Sequence, residues 1–474
     1  MGFERRYALN PKGLGMDLQG RNTCAWSCVL MVFLICLIAY FNGREAASQV
    51  TTAQNATLKQ TVSLQPAAAS VSSKLDVPAP LATSPFDTER SLVIPPGFGI
   101  RVWARVPKAR FMALTPNGDV LVSIPGEGRI VLLREREGDT PQQFDFATGL
   151  NKPHDMVFHV INGVTYLYFS ESSKISRTVY QPGATQIGPR EILIDHLPDA
   201  SAPEFGDSYQ HELKNIAIGP DDKLYVSIAS SCNACATDVQ HDPVLGSIYQ
   251  YSADGKNGRL FAHGLRNAEG LDFIPGTNNL WTTVNNRDQI PVPLDIDVDG
   301  DGNSDFGKVI PSYVNANPVD FFTAVRDGGD YGWPFCDQLV NGDVVPDYDT
   351  NRSGTKSTCS TVDRASKALR AHSASLGMHF LHSTAVSAAY RRGAVAALHG
   401  CWNCTALEAG YKVIYFPFDE AGIPGNEMDL VTGFVTSPIA RTMWGRPVDV
   451  IADAHGNILI SDDFAGALYQ LYPK

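Results

Sequence analysis

The sequence predicts an all-β fold, a six-bladed β-propeller, from a recurring phrase, its turn chemistry and its spacing. In each copy apolar residues lead into a polar turn, and a strand of alternating apolar character then ends near Ser or Thr. Five clear copies and a degenerate sixth occur at residues 114–123, 161–170, 218–227, 274–283, 452–461 and 393–400. Asn-Gly and Asp-rich turns accept positive φ at low steric cost, so each copy predicts a hairpin. Hairpins at a period of roughly 45–60 residues are typical of propeller blades, and a propeller usually binds its ligand at the mouth of its channel.

A basic segment followed by an apolar one opens the chain. Residues 24–41 contain no charged side chain, and several Lys and Arg residues come before them. That length just suffices to span a bilayer, and a basic flank stays in the cytosol. We therefore expect a cytoplasmic segment at 1–23 and a single transmembrane signal-anchor at 24–41, with the C-terminal body extracytoplasmic (extracellular, luminal or periplasmic). A cleaved signal peptide is the alternative.

The next segment, residues 42–90, is rich in Ala, Ser, Thr, Gln and Pro and contains no aromatic residue before Phe86. Such a composition cannot bury enough apolar surface to fold. We expect a disordered stalk at 42–90 and the propeller at 91–474. Sequons begin at Asn55, Asn351 and Asn403. They predict a glycoprotein.

Cysteine usage and charge narrow the compartment and the partners. Outside the apolar segment, six cysteines occur as Cys232/Cys235, Cys336/Cys359 and Cys401/Cys404. An even number suggests disulfides formed in an oxidising compartment, and zinc would require the two Cys-x-x-Cys pairs to converge. The formal net charge of −12 argues against a nucleic-acid partner, which needs clustered Lys and Arg.

Ordered motifs carry a resemblance to a known family. They lie at residues 94–104, 149–154, 211–220, 264–270, 285–288, 331–334, 399–403, 445–449 and 461–463. From residue 92 onward the sequence resembles the soluble quinoprotein glucose/sorbosone dehydrogenase family. The resemblance implies a six-bladed propeller that holds pyrroloquinoline quinone (PQQ) and a calcium ion over one end of the channel. It also implies oxidation of the anomeric or aldehyde carbon of a sugar, with electrons leaving to an unknown acceptor.

The resemblance also implies roles for single residues. His211 stands at the position of the family's catalytic histidine, which takes the hydroxyl proton as general base while hydride passes to the quinone. PQQ carries three carboxylates, so the site needs cationic partners. The candidates for holding the cofactor are Arg266, Asn267, Arg446, Lys214 and Trp444. Glu269 lies beside them with no assigned role.

Two places in the sequence are candidates for calcium. Asp288, with Asn286 and nearby carbonyls, is where the resemblance places the ion at the quinone. An inserted acidic loop offers Asp297, Asp299, Asp301 and Asp305. Its alternating acidic residues and glycines resemble a calcium loop, but Lys308 stands where an EF-hand has its bidentate Glu, so we expect a separate structural site of another type.

One departure from the family keeps other functions open. Related sequences often carry an Arg after the Trp-Asn of the 399–403 motif, whereas this chain has Cys404. Loss of one cationic contact weakens a binding site by about 1–3 kcal/mol. One alternative is therefore a catalytically inactive propeller that binds glycans or proteins. A calcium-dependent hydrolase of the lactonase type is the other.

Overall fold

The computed structural model describes residues 70–474. The predicted cytoplasmic segment 1–23, the predicted signal-anchor 24–41 and the stalk up to residue 69 lie outside the described residues. Within the described part, no helix has the length and apolar character needed to cross a bilayer.

The regular secondary structure of the described residues consists almost entirely of short strands joined by loops. The first eleven are β1 Val71–Lys74, β2 Ser91–Ile94, β3 Phe98–Arg105, β4 Met112–Leu114, β5 Val120–Ile124, β6 Arg129–Arg134, β7 Gln142–Ala147, β8 Met156–Ile161, β9 Val164–Glu171, β10 Lys174–Val179 and β11 Glu191–Ile194. The next eleven are β12 Ile216–Ile218, β13 Lys223–Ile228, β14 Ser247–Ser252, β15 Arg259–His263, β16 Ala268–Phe273, β17 Leu280–Val284, β18 Asp320–Ala324, β19 Gly329–Asp330, β20 Cys336–Gln338, β21 Val344–Pro346 and β22 Lys367–Leu369. The last nine are β23 Ser375–Leu381, β24 Gly393–Leu398, β25 Lys412–Pro417, β26 Met428–Val431, β27 Val435–Ser437, β28 Thr442–Met443, β29 Pro447–Ala452, β30 Ile458–Asp462 and β31 Ala467–Pro473. One short α-helix, α1, covers Pro311–Val314, and 3-10 turns cover Ala79–Leu81, Pro125–Glu127, Pro203–Phe205, Asp238–Gln240 and Cys359–Thr361.

Six antiparallel sheets make the six predicted blades, so the propeller is confirmed. In chain order blade 1 is β4–β7, blade 2 is β8–β11, blade 3 is β12–β15 with β19 added, blade 4 is β16–β18 with β22, blade 5 is β23–β26, and blade 6 is β29–β31 with β3. The five clear repeat phrases are the hairpins between the first two strands of blades 1, 2, 3, 4 and 6. The degenerate phrase contains β24, the second strand of blade 5, whose six residues are all buried.

The ring closes by joining the two ends of the described chain. Strand β3 is the outer strand of blade 6 and pairs antiparallel with β31. The pairing places Arg101 opposite Gln470, and the Arg101 Nε donates a hydrogen bond to Gln470 Oε1 at 2.7 Å. A strand from the start of the described chain therefore completes the last blade, which closes the ring.

Residues 70–90 differ from the predicted stalk, because in the structure they pack against the propeller. Strand β1 pairs with β2. Leu75, Leu81 and Phe86 are buried in the core cluster that also contains Trp444 and Tyr469. The ordered domain therefore begins about twenty residues before the predicted boundary at 91. Composition suggested disorder because this segment contains few large apolar residues. Three of them nevertheless pack into the core of the propeller.

The first strand of each blade lines a central channel. A cavity of about 400 Å³ runs between these strands, with Phe111, Met156, Ile216, Phe273, Met378 and Ile451 among its lining residues. In an antiparallel blade of this order, the loop before the first strand and the loop between the second and third strands lie at the same end of the ring. We call that end the mouth.

Candidate active site at the mouth of the channel

The mouth loops carry most of the predicted site residues. His211 precedes β12 and Arg266 precedes β16, while Arg446 precedes β29. Asp288 lies in the long connection between β17 and β18. Residues far apart in sequence therefore meet at one end of the ring, as the propeller predicts.

His211 is half-buried and has a defined basic nitrogen. Its Nδ1 lies 3.0 Å from the carbonyl oxygen of Ser230 and 2.9 Å from Ser230 Oγ. A carbonyl oxygen can only accept, so Nδ1 carries the proton and Nε2 keeps its lone pair. Burial, and then the nearby Arg266, lowers the pKa of His211 to about 3. The imidazole is therefore neutral at neutral pH, and its Nε2 hydrogen-bonds no other described residue.

Arg266 is almost fully buried, and its guanidinium faces protein oxygens on every side. Nε donates to the Asn233 carbonyl at 3.0 Å, and Nη1 donates to the carbonyls of Asn286 at 2.9 Å and Asn285 at 3.2 Å. Nη2 donates to Asn233 Oδ1 at 3.1 Å and lies 3.5 Å from Asp288 Oδ2. Four of its five N–H groups are thus hydrogen-bonded to protein oxygens, and the fifth lies on the Nη2 that faces Asp288. In this structure Arg266 orders the mouth, and its role in holding a cofactor carboxylate stays a prediction.

Asp288 is surrounded by nitrogen donors. Its Oδ1 accepts a hydrogen bond from Asn403 Nδ2 at 3.1 Å and lies 3.5 Å from His372 Nδ1, while Oδ2 faces Arg266. Burial alone would raise the pKa of Asp288, but His372 and Arg266 outweigh it and lower the pKa. Contact with Asp288 and Asp320 likewise raises the pKa of His372 against the effect of its burial.

Asn286, the second predicted calcium ligand, uses its side-chain nitrogen and its backbone carbonyl within the fold. Its Nδ2 donates to the Val319 carbonyl at 2.7 Å, and its backbone carbonyl accepts from Arg266. Its side-chain Oδ1 accepts no hydrogen bond from a described residue. A calcium ion at Asp288 and Asn286 would lie against the guanidinium of Arg266 and the imidazole of His372, so Asp288 could bind the ion only by giving up these contacts. The calcium site at these residues stays a prediction.

Arg446 belongs to a second group of charged and polar residues at the mouth, together with His399, Asp463 and Arg110. Its Nε donates to the His399 carbonyl at 3.1 Å, and Nη2 donates to the Gly400 carbonyl at 3.2 Å. Its Nη1 has no hydrogen-bond partner among residues 70–474. His399 Nε2 lies 2.9 Å from Asp463 Oδ1, and Asp463 Oδ2 accepts from Arg110 Nη1 at 2.9 Å. Arg446 thus keeps a donor available for an anion, as its predicted role requires.

Several buried polar atoms beneath the mouth make no hydrogen bond to another protein atom. Asn267, a predicted cofactor contact, uses its Nδ2 to donate to Glu269 Oε1 at 2.9 Å. Glu269 Oε2 lies 3.5 Å from His154 Nε2. Burial alone would raise the pKa of Glu269, but His154, Arg110 and Asn267 together outweigh it and lower the pKa to about 2. The buried atoms left without a hydrogen bond are Arg110 Nε, His154 Nδ1 and Nε2, Asn215 Nδ2 and Glu269 Oε2. They come from the starts of four consecutive blades, so a polar ligand at this place would satisfy groups that the protein alone does not.

The other two cofactor candidates lie in different surroundings. Lys214 is fully buried, and its Nζ donates to the carbonyls of Pro198, at 2.8 Å, and Glu212. Burial lowers the pKa of Lys214 to about 7. Trp444 packs edge-on against Phe86 in the core and donates to the Gly433 carbonyl at 3.0 Å. Trp444 therefore lies in the hydrophobic core, and its contact with a cofactor stays a prediction.

The acidic loop brings three of its four predicted ligands together. Oxygen atoms of Asp297, Asp299 and Asp305 lie within 4.8 Å of one another. Asp301 is not part of this group. Both Asp297 oxygens accept backbone N–H bonds, from Gly300 at 2.6 Å and Gly302 at 2.8 Å. The loop has the shape of a small acidic cup, and the predicted structural calcium stays a prediction.

The predicted cysteine pairs are three disulfides. They join Cys232 to Cys235, Cys336 to Cys359 and Cys401 to Cys404. Zinc binding by the Cys-x-x-Cys pairs is therefore wrong. The sequon residue Asn351 is buried, with its Nδ2 bonded to the Phe335 and Ser357 carbonyls at 3.1 Å. A glycan on Asn351 is incompatible with this fold, and Asn55 lies outside the described residues.

Sequence reasoning assigned no role to five residues that complete the mouth. They are Arg110, His154, His372, His399 and Asp463. His154, His399 and Asp463 lie inside motifs that carried the family resemblance, so a signal for them was present. Arg110 and His372 each stand a few residues before the first strand of a blade, and only the ring geometry singles out that position.

The fold and the mouth define a class of proteins: six-bladed propellers that place imidazoles, guanidinium groups and unpartnered polar atoms around one opening. The sequence matches the TrAA12-like family over residues 92–474, and the chain belongs to that family. This match confirms the predicted resemblance to the soluble quinoprotein sugar dehydrogenases.

Solved structures share the fold at low identity. A Trichoderma reesei structure of Carbohydrate-Active Enzymes Family AA12 is 17% identical, with a TM-score of 0.66 over 81% of this chain and 98% of that one. The holo PQQ domain of Coprinopsis cinerea pyranose dehydrogenase is 18% identical, with a TM-score of 0.64 over 80% of this chain and 97% of that one. The apo soluble aldose sugar dehydrogenase of Escherichia coli is 13% identical, with a TM-score of 0.53 over 80% of this chain and 100% of that one.

A sequence relative from Borreliella burgdorferi, described as an uncharacterized protein, is 26% identical over 267 residues. The aligned part covers 56% of this chain and 61% of that relative, so the chain spans less than two thirds of the relative's length.

Proposed function

We propose that the protein is a PQQ-dependent sugar oxidoreductase that takes hydride from the anomeric or aldehyde carbon of its substrate. Membership of the TrAA12-like family supports this proposal, as do the PQQ-bound and sugar-dehydrogenase names of proteins that share the fold. Three disulfides support an extracytoplasmic location. The electron acceptor is a separate, unidentified partner, and membrane attachment through residues 24–41 remains a prediction.

The observation that carries the proposal is the state of His211. Its Nδ1 proton is held by Ser230, which leaves Nε2 as a neutral acceptor at the mouth. A sugar hydroxyl that donates to Nε2 would be oriented for loss of its proton to this nitrogen. The burial and the Arg266 charge that keep this imidazole neutral also make it a weaker base, and the negative charge of bound PQQ would offset part of that loss.

The residues at the mouth fit an anionic planar cofactor. The free Nη1 of Arg446 and the unpartnered Nε of Arg110 would be cationic donors for its carboxylates. The unpartnered amide of Asn215 would donate one further hydrogen bond. PQQ, when bound, would supply the two-electron acceptor for the hydride.

Calcium at the quinone stays a prediction without a role in this mechanism. The oxygens of Asp288 already face Arg266, His372 and Asn403, so we assign no chemistry to an ion there. The same nitrogen donors argue against a lactonase-type hydrolase, whose calcium needs several side-chain oxygens converging on it.

The test begins with absorbance titration of the full-length protein with PQQ, followed by dye reduction with a panel of aldoses and pyranoses. His211→Ala should abolish dye reduction and leave the thermal unfolding curve unchanged. His196→Ala is the matched control, because the His196 side chain is 95% exposed. Failure to take up PQQ together with no turnover on any sugar would overturn the proposal and favour a propeller that only binds its ligand.

A further inference from the structure

Two disulfide-closed loops from different blades reach the same aspartate. The Cys232–Cys235 loop lies between β13 and β14 of blade 3, and the Cys401–Cys404 loop lies between β24 and β25 of blade 5. Asp288 belongs to blade 4, which stands between these two blades in the ring. Each disulfide joins cysteines three residues apart, so each loop is a small closed ring with few backbone conformations.

The first loop holds Asp288 by its backbone. Asn233 Oδ1 accepts from the Asp288 N–H at 2.7 Å, and Asn233 Nδ2 donates to the Asp288 carbonyl at 2.8 Å. The same Oδ1 accepts from Arg266, and the Asn233 carbonyl accepts from Arg266 Nε and from Trp333 Nε1 at 3.1 Å. Asn233 therefore contacts both members of the Arg266–Asp288 ion pair.

The second loop holds Asp288 by its side chain. Asn403 Nδ2 donates to Asp288 Oδ1 at 3.1 Å. The loop is fixed in turn by Arg441, whose guanidinium donates to the carbonyls of Trp402 and Cys404. Because Asn403 faces inward, a glycan on this sequon would remove the contact with Asp288.

We propose that Asn233 and Asn403 are positioning residues, which hold the Arg266–Asp288 ion pair across three blades, and that the two Cys-x-x-Cys disulfides keep these asparagines in their bonding orientation. Arg266 stands beside His211, so the pair sets the electrostatic surroundings of the base. This role also accounts for Cys404, which stands where related sequences often carry an Arg. Its disulfide closes the loop that contains Asn403.

A physical argument favours positioning over chance contact. A half-buried carboxylate that loses a donor turns toward water, and a buried guanidinium that loses its counter-charge is costly to keep. Closing each asparagine loop with a disulfide removes conformations before the contact forms, so less entropy is lost when it does. Both asparagines act on one residue from opposite sides, and removing either should therefore loosen the other blade's loop as well.

The first test needs no cofactor, so it is independent of the proposed function. Hydrogen exchange followed by mass spectrometry on the full-length apo protein should show faster exchange at residues 285–288 in Asn403→Ala. The faster exchange should extend to residues 232–235 of blade 3, which Asn403 does not touch. Asn341→Ala, an exposed asparagine in the turn between β20 and β21, is the matched control and should leave both segments unchanged.

The second test rests on the proposed function, because it measures PQQ affinity by absorbance titration. Asn403→Ala and Asn233→Ala should each raise the PQQ Kd about five- to ten-fold. Asn403→Asp, which has the same shape, should raise it further than Asn403→Ala, because a second carboxylate would face Asp288. Cys401→Ser/Cys404→Ser should behave like Asn403→Ala, whereas Cys336→Ser/Cys359→Ser should lower the melting temperature and leave the Kd unchanged.

The outcomes separate the two proposals. Unchanged exchange at residues 285–288 in both asparagine variants, or an Asn403→Asp protein with wild-type PQQ affinity, would overturn the positioning role. Faster hydrogen exchange at both residues 285–288 and residues 232–235, in a protein that binds no PQQ, would support the positioning role and contradict the proposed cofactor.

Discussion

Nδ1 of His211 lies 3.0 Å from the carbonyl oxygen of Ser230, and this contact decides which nitrogen of the ring can act as a base. Burial and Arg266 lower the pKa of His211 to about 3. A base works in its neutral form, and a lowered pKa extends that form toward acid. We expect kcat/KM of the PQQ-loaded protein to show no acid limb with a midpoint near 6.5, the ordinary histidine value. A pH–rate profile from pH 4 to 8 measures this, and an acid limb with a midpoint near 6.5 would contradict it.

We expect Arg266 to contribute strongly to the free energy of unfolding, because its guanidinium is buried among protein oxygens. Replacing it by Leu leaves Asp288 without its counter-charge and several buried carbonyls without donors, which is expected to lower the free energy of unfolding by about 3–5 kcal/mol. Denaturant unfolding of the full chain measures the change. Arg136→Gln, which removes an exposed pair with Asp139 and exposed hydrogen bonds to the Thr140 carbonyl, should change it by less than about 1 kcal/mol. Equal effects of the two variants would show that the guanidinium network is not what holds the mouth.

Phe86 tests whether residues 70–90 belong to the domain. Its ring packs against Trp444 and Tyr469 with centroids 6.2 Å and 6.1 Å away. Phe86→Ala should therefore lower the free energy of unfolding by about 3–5 kcal/mol. Val71→Ala, at a position exposed on the edge hairpin, should cost well under 1 kcal/mol. If the Phe86→Ala protein were as stable as the wild type, the predicted disorder of residues 70–90 would be favoured again.

The acidic loop should respond to calcium if the predicted structural site exists. Three carboxylates from Asp297, Asp299 and Asp305 lie close enough to share one ion. Calcium should then raise the melting temperature of the full-length protein, and a chelator should lower it again, because an ion that binds only the folded state stabilises it.

Two variants of this loop separate binding from general charge reduction. Asp299→Asn should abolish the calcium shift, whereas Asp301→Asn, outside the cluster, should keep it. A shift that survives in Asp299→Asn would show that calcium acts elsewhere on the protein.

The sequence predicted the ring because the signal for it is local. Each hairpin phrase depends on residues within ten positions of one another, and turn chemistry there needs no knowledge of the rest of the chain. The same locality explains the weak copy in blade 5. Strand β24 is buried on both faces, so it shows no alternation of polar and apolar residues.

The contacts of the site were less predictable, because they depend on which loops meet. His211 and Arg446 were identified by motif, and the structure places both at the mouth. The contacts of Arg266 could not be predicted, since four of its five N–H groups face backbone carbonyls or Asn233, and a backbone carbonyl leaves no trace in a sequence. The burial of Trp444 was not predicted for a similar reason: its neighbours Phe86 and Tyr469 lie far from it in the chain.

The pairing of Arg101 with Gln470, 369 residues apart, has a consequence for synthesis. At a ribosomal rate of about 5–20 residues per second, strand β3 emerges roughly 20–70 seconds before the strand that pairs with it. During that interval an exposed edge must stay solvated and avoid the edges of other nascent chains. Chaperones that delay contact between neighbouring chains would thus influence the yield of closed rings.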